Sequence, residues 1–310
     1  MNICVLTHTF PRNKRDAAAA FMKEFADGLV EAGNRVVVLT PFDAEFKRRG
    51  DNFKIVTYKY IWPNWLHLLG YSKTMEADIQ LKKRAFILLP LLLFFGTLAL
   101  YKVVKRERVQ IINAHWILPN GLMALIVSKL TRVPFVVTLP GTDAYLAYRY
   151  KIFGWIAKII AQSSQGIISN SSWHLKRILD LSVKNKSTKI ISYPVNVLAF
   201  KPVKKGLGKL RRKFGIRKNV FLVLAVGRFV YKKGFNYLIE AIAEVYKMHP
   251  NILLILGGDG DLREEWEKLA QDLTIKERVL FVGNIPRDEV ICYYNLADVM
   301  IAPSIVDEGG

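Results

Sequence analysis

Cysteine is nearly absent: the 310 residues hold two, Cys4 and Cys292. No disulfide framework and no CxxC pair can be drawn from them. That excludes a stapled extracellular scaffold or a zinc ribbon and suits a reducing, cytosolic setting. Histidine is scarce as well. The five imidazoles are scattered, form no HxxxH or HExxH pattern, and have no acidic cluster at ligand spacing beside them. No metal and no cofactor is therefore expected. The loop after the first strand lacks GxGxxG, which removes the dinucleotide fingerprint. No charged leader precedes the short apolar run Ile3 to Leu6, and Thr7 and His8 break it, so the N-terminus does not read as a signal peptide. Acidic side chains are the other shortage: 26 Asp and Glu stand against 46 Lys and Arg, for a net charge of +20.

That imbalance is uneven. Residues 1–200 carry 28 basic and 12 acidic side chains, residues 201–310 carry 18 and 14. A basic face on the N-terminal part implies an anionic partner: lipid headgroups, a phosphate-bearing substrate or nucleic acid. The length exceeds a usual single core and predicts two domains, 1–202 and 203–310.

What is present is α/β patterning. Asn2 to Leu6 and Arg35 to Thr40 read as strands, with a helix over Ala17 to Ala32 between them. This βαβ opening predicts a doubly wound parallel sheet. Residues 43–81 read as irregular and aromatic. Ala85 to Tyr101 follows, 17 residues without a charge, flanked by Lys82-Lys83-Arg84 and by Lys102, Lys105, Arg106 and Arg108. A membrane span needs roughly 20 apolar residues. It would also put the strands on either side of it, which belong to one sheet, across a bilayer. Two readings stay open: a helix buried in the N-terminal domain, or one lying in the membrane interface with its basic ends on phosphates. Further strands are expected at Gln110 to Ala114, Phe135 to Leu139, Gly166 to Asn170 and Lys189 to Tyr193, with helices at Leu122 to Leu130 and Ser171 to Leu181. Strand ends deliver His8, His115, Asp143, Asn170 and Asn196 to the edge where open α/β sheets bind ligands.

The second half starts at Phe221. Phe221 to Val226 is apolar and β-branched, Gly227 bounds it, a basic loop runs from Arg228 to Lys233, and a helix opens at Gly234 with Leu238, Ile239, Ile242 and Val245 at helical spacing. Strand, loop and helix N-terminus make an anion site. First-turn N–H groups and the helix dipole favour negative charge there. Arg228 adds a planar fork and Lys233 a point charge. Strands at Ile252 to Leu256, Val279 to Val282 and Val299 to Ala302 complete the unit, with helices at Leu262 to Asp272 and Asp288 to Leu296.

The order of motifs resembles the retaining glycosyltransferases of family 4. The stretches that carry it are THTFPR, INAHWILPNG, VTLPGTD, ISYPVNVLAFKP, VGRFVYKKG, LGGDGDLREEWEKLA and VLFVGNIPRDEVICYYNLADVMIAPS. The resemblance implies two facing Rossmann-like domains, the GT-B fold, and transfer of a sugar from a nucleotide-sugar to an acceptor with retention. It places the donor's diphosphate on Arg228 and Lys233 after Gly227, which makes a metal dispensable. It implies a nucleotide pocket lined by Gly258, Asp259, Gly260, Asn284 and Ile285, the last through its backbone. His115, Trp116, Asn120, Thr142 and Asp143 then face the acceptor cleft, with Asp143 and Glu308 as the catalytic carboxylates.

Three departures stand out. Ala17 to Ala20 occupy the place of a glycine pair after strand one. Pro140-Gly141 replaces a His-Gly, so a side-chain donor is missing. The two donor-binding glutamates expected after Pro303-Ser304 are represented at most by Glu308, and the chain reads as C-terminally incomplete. The expected partners are a nucleotide-sugar donor and an anionic membrane surface or lipid-linked acceptor, on the cytoplasmic face of the membrane. The alternative is a non-catalytic nucleotide- or membrane-binding protein of the same fold. A nucleic-acid binder is suggested by net charge alone. No RRM or KH signature accompanies that charge, and the aromatics sit in apolar runs. A sugar-nucleotide epimerase has nothing to select it.

Overall fold

The computed structural model describes residues 1–16, 19–48, 50–70, 75–76, 80–81, 83–141, 147–184, 187–204 and 206–305, with backbone alone for 75–76, 80–81 and 83–86. The chain divides into two compact units between Val195 and Asn196.

The first unit is built on strands β1 (Asn2–Leu6), β2 (Arg35–Pro41), β3 (Lys54–Tyr58), β6 (Ile111–His115), β7 (Phe135–Leu139), β8 (Gly166–Ser169) and β9 (Ser187–Ile190), with a two-residue hairpin, β4 (Met75–Glu76) and β5 (Gln80–Leu81), set apart. The seven main strands form one parallel sheet in the order β3-β2-β1-β6-β7-β8-β9. The order reverses between β1 and β6, so the ligand crevice of such a sheet lies beyond their C-terminal ends.

Period-two alternation decides which side chain goes to which face. Ile3, Val5, Val36 and Val38 pack towards helix α1 (Ala20–Glu31). Cys4, Leu6, Val37 and Leu39 face the opposite layer, with α2 (Lys83–Arg106), α3 (Leu122–Thr131), α4 (Lys151–Ser163) and α5 (Ser172–Leu179). Burial there pushes the Cys4 thiol up to about 12, so it is an inert core group. Helix α2 buries Leu88, Leu92, Leu100, Val103 and Val104 against this core. Each contributes roughly 1.5–3 kcal/mol. Gly96 lets the helix come close, since a Cβ there would stand 2.7 Å from Met123 Sδ and 3.0 Å from the Tyr58 hydroxyl.

Several expectations need correction. Strand β3 lies within the stretch expected to be irregular. Of its five residues, KIVTY, only Ile55, Val56 and Thr57 are β-branched, and the segment lacks the continuous apolar run that marks Asn2–Leu6. The first helix starts at Ala20, not Ala17, with Ala19 left-handed at φ 51° before it. The last strand of the sheet ends at Ile190 instead of continuing to Tyr193, whose ring leaves the sheet to pack on Phe21 and His115. Helix α4 was not expected at all. Its buried face is made of Gly154, Ala157, Ile160 and Ala161, so small residues mask the usual aliphatic stripe.

The second unit has a four-stranded parallel sheet, β12 (Val279–Gly283), β11 (Ile252–Gly257), β10 (Phe221–Val226) and β13 (Val299–Met300), in that spatial order. Val223 and Ala225 face α7 (Phe235–Met248) and α8 (Arg263–Asp272). Leu222 and Leu224 face α6 (Leu207–Lys213) and α9 (Val290–Leu296). The order reverses between β10 and β13, which again fixes the ligand edge.

Candidate active site

The loop after β10 is held by its own backbone. The amides of Gly227, Phe229, Val230, Lys233 and Gly234 donate to the carbonyls of Gly257, Asp259, Arg228, Val230 and Tyr231, at 2.9–3.0 Å. Those five amides are therefore committed, and other donors face an anion. They are the first-turn amides of α7, which have no intrahelical acceptor and no side-chain cap. Gly234 turns into that helix at φ 64°, and a Cβ on it would collide with the Pro303 carbonyl, which brings the end of β13 beside the helix start.

Both predicted cations belong to this loop. The Lys233 stem lies over Gly227, its Cδ and Cε 3.6 Å from where a Cβ would be. Desolvation lowers the Arg228 pKa, against the pull of Asp261. Desolvation lowers Lys233 too, helped by the charges of Lys232 and Arg228. Arg228 and Lys233 thus repel each other across a partly dehydrated loop, and a bound polyanion would relieve both the repulsion and the lost hydration. Asn236, in the first helical turn, has a buried amide oxygen without a protein hydrogen-bond partner.

The glycines of the GDG turn act by close approach. Gly258, at φ 131°, has no room for a Cβ beside the Gly227 carbonyl, and a Cβ on Gly260 would stand 2.6 Å from the Phe229 carbonyl oxygen. The Asp259 carboxylate is exposed; it accepts from the Gly260 amide at 2.9 Å and lies 3.7 Å from Arg263 Nη1. Asn284 is exposed. Ile285 is buried, with its side chain against Gly257.

In the first unit, the ends of β1 and β6 bring His8, His115, Trp116 and Asn120 together. His115 is fully buried, with Nδ1 3.0 Å from the Tyr193 hydroxyl and its ring edge-on to Phe25 at 4.7 Å. Burial, and then the charge of His8, push its pKa down to about 3. Burial pushes His8 down to about 4. Both rings are neutral at neutral pH. The His8 ring packs, tilted, against Trp116 with 4.2 Å between centroids. Asn120 donates through Nδ2 to the His115 carbonyl at 2.7 Å and has the same atom 3.4 Å from His8 Nδ1. His115 Nε2 and Asn120 Oδ1 are buried without a protein partner. Such atoms are costly unless something satisfies them, and a hydroxyl-rich ligand would. Trp116 itself is left-handed at φ 66°, a strained state for an aromatic residue.

Beside the next strand, Asn170 Nδ2 donates to the Pro140 carbonyl at 3.0 Å, and Asn170 Oδ1 lies 3.1 Å from His174 Nδ1. The His174 ring rests on Gly141, 3.1 Å from where a Cβ would be. An imidazole thus stands beside Pro140-Gly141 after all, from α5. Sequence reasoning brought His8 to the ligand edge, but it missed His174 and left Tyr193 out of the site. Only the SNSSWH helix start hinted at His174, with Ser171 accepting from the Trp173 amide. Thr142, Asp143 and Glu308 lie outside the described residues, as do Ala17 and Ala18. Among the described residues no group of three or more His, Cys, Asp or Glu is placed to hold a metal.

Comparisons with known proteins bear on the fold and the family. Alpha-monoglucosyldiacylglycerol synthase of Acholeplasma laidlawii is 25% identical over 299 residues, 92% of this chain and 70% of that protein. The UDP-Gal:alpha-D-GlcNAc-diphosphoundecaprenol alpha-1,3-galactosyltransferase of Escherichia coli is 26% identical over 67% of this chain and 55% of its own length. Among solved structures, sucrose-phosphate synthase from Thermosynechococcus elongatus superposes with a TM-score of 0.75 at 19% identity, over 100% of this chain and 77% of that one. Anabaena HepE in complex with UDP and glucose gives 0.72 at 19%, over 100% and 76%. These are GT-B glycosyltransferases, and the two parallel sheets described here are of that fold. Residues 208–310 match the family described as Glycosyl transferases group 1. Residues 18–197, more than half of the chain, match Glycosyltransferase Family 4, and the chain belongs to that family.

Proposed function

We propose that this glycosyltransferase moves a hexosyl group from a nucleotide-sugar to a membrane-associated, lipid-linked acceptor, with retention and without a metal. The observation that carries the reading is the meeting of Arg228, Lys233 and the uncapped N-terminus of α7 at the β10/β13 switch point. That arrangement suits a departing nucleoside diphosphate. The bond from the anomeric carbon to the diphosphate breaks, its electron pair leaving with the phosphate oxygen. The acceptor hydroxyl oxygen forms the new bond on the same face, and its proton passes to the departing diphosphate oxygen. Gly258, Asp259, Gly260, Asn284 and Ile285 frame the nucleotide. His115, Trp116 and Asn120 hold the acceptor with Thr142 and Asp143, and Glu308 orients the donor sugar. HepE is described with UDP and glucose, and the two transferases above are named for lipid products or substrates, which supports both partners.

The membrane reading rests on α2. Its exposed stripe includes Ile87, Leu91, Phe94, Leu98 and Tyr101, and basic residues stand at both ends. It is long and apolar enough to cross a bilayer by composition. However, it connects β3 to β6 within one sheet and packs on that sheet, so we place it flat in the interface of the cytoplasmic leaflet.

The test is a transfer assay with labelled UDP-glucose and related donors on vesicles containing diacylglycerol or undecaprenyl-diphosphate acceptors. The anomeric configuration of the product is read by NMR. A glycolipid of unchanged anomeric configuration and released nucleotide are expected. Nucleotide binding without turnover on any acceptor would favour the second reading, a non-catalytic binding protein.

A further inference from the structure

We propose that the membrane-docking surface is a face of three helices, α2, α3 and α4, with Ile152 and Trp155 of α4 as a second inserting edge; this rests on the membrane reading of α2 above. The three helices are neighbours in one layer: α2 packs on α3, and α3 on α4. Their inner sides share a single core beneath the sheet. Their outer sides are apolar in turn. Ile87 is 76% exposed and Phe94 65% on α2, Leu130 is 66% exposed on α3, and Ile152 and Trp155 are 72% and 65% exposed on α4. Large apolar residues so exposed on adjacent helices mark an interaction surface.

Charge selects the occupant. Helices α2, α3 and α4 together contain eight Lys or Arg and no Asp or Glu. Exposed Lys102, Lys105, Lys129 and Lys151 belong to the same helices. A second copy of this chain would press like charges together as water is excluded. An anionic bilayer neutralises them while accepting the apolar side chains. A tryptophan on such a face suits the headgroup level. Tyr148 and Tyr150, exposed just before α4, extend the aromatic edge.

The experiment is co-sedimentation of the full chain with phosphatidylglycerol–phosphatidylcholine vesicles, with brominated lipid as a depth probe. The wild type should bind. Ile152→Asp with Trp155→Asp should weaken partitioning at least tenfold and leave nucleotide binding and the circular dichroism spectrum intact. Phe94→Asp should do the same. The conservative Trp155→Phe should still bind but lose part of the fluorescence quenching by brominated lipid. If the α4 double variant and Trp155→Phe behave as wild type while Phe94→Asp fails to bind, docking is by α2 alone and the three-helix face is wrong. If the wild type ignores vesicles, the membrane reading itself fails. Concentration-dependent dimers abolished by the α4 variant, with no vesicle binding, would make the face a self-association surface and also overturn the proposal.

Discussion

Arg228 and Lys233 were legible from sequence because a strand, a short basic loop and a helix start are all local features. Each would make a charge-assisted contact with a diphosphate, worth about 1.5–3 kcal/mol. Arg228→Ala and Lys233→Ala should each weaken nucleoside-diphosphate binding roughly 10- to 100-fold by calorimetry, and the double substitution should abolish it; unchanged affinity would falsify the diphosphate assignment. The partners of His115 were not legible. Tyr193 lies 78 positions away in the chain and meets the imidazole only because the sheet ends early. The burial of His115 and His8 has a pH consequence. An imidazole in the unfolded chain titrates near 6.5, whereas burial holds His8 at about 4 and His115 at about 3. Folding therefore favours the neutral rings. Their contribution is fully present above pH 6.5 and is lost as pH falls towards the folded values, because the unfolded chain then binds more protons. Each ring costs up to about 1.4 kcal/mol per pH unit in that range. Denaturation between pH 6.5 and 5 should show falling stability, and His115→Asn should make the slope shallower. A slope unmoved by His115→Asn would remove that histidine from the account.

Elements were legible where a full apolar run set both face and length. Asn2–Leu6, Phe135–Leu139 and Phe221–Val226 stand where the pattern put them. Strand β3 and helix α4 escaped for different reasons, one because polar residues break up its apolar run and the other because glycine and alanine make up most of its buried face. Nor could sequence show why Gly258 is glycine, since the reason is a carbonyl on another loop. The clash with Gly227 is between two backbones, so neither side chain can move aside. Gly258→Ala should cost at least about 2 kcal/mol in the stability of the second unit and weaken nucleotide binding. Gly215→Ala is the control: φ there is 63°, with nothing near a Cβ. It should cost only about 1 kcal/mol. Equal losses in the two urea titrations would mean that backbone conformation, and not the close approach, decides at Gly258.

At the scale of the molecule, a doubly wound parallel sheet was expected from the βαβ opening and a second one from the family resemblance, and both are present. Sequence alone did not show that the outer face of one helix layer is apolar and free of acids, because that depends on which helices become neighbours. With two cations and a helix dipole assigned to the leaving group, turnover should persist in EDTA. Activity lost in chelator and restored by manganese would replace those cations with a metal. Vesicle binding should weaken between 50 and 500 mM salt, since screening acts on the basic residues; binding indifferent to salt would mean that the lysines of α2 to α4 play no part. The central pairing of the first sheet also sets a schedule. Ile3 pairs with Ile111, and α2 lies in the interval between them. At 5–20 residues per second, a ribosome takes roughly 5–20 s to cross that interval. For those seconds β1 lacks the neighbour on one side, and α2 is complete well before the last strand of its own sheet, Ser187–Ile190, is made. A nascent chain between those two points offers its longest apolar helix to the first surface it meets, so a bilayer beside the ribosome can capture the protein before the protein has finished folding.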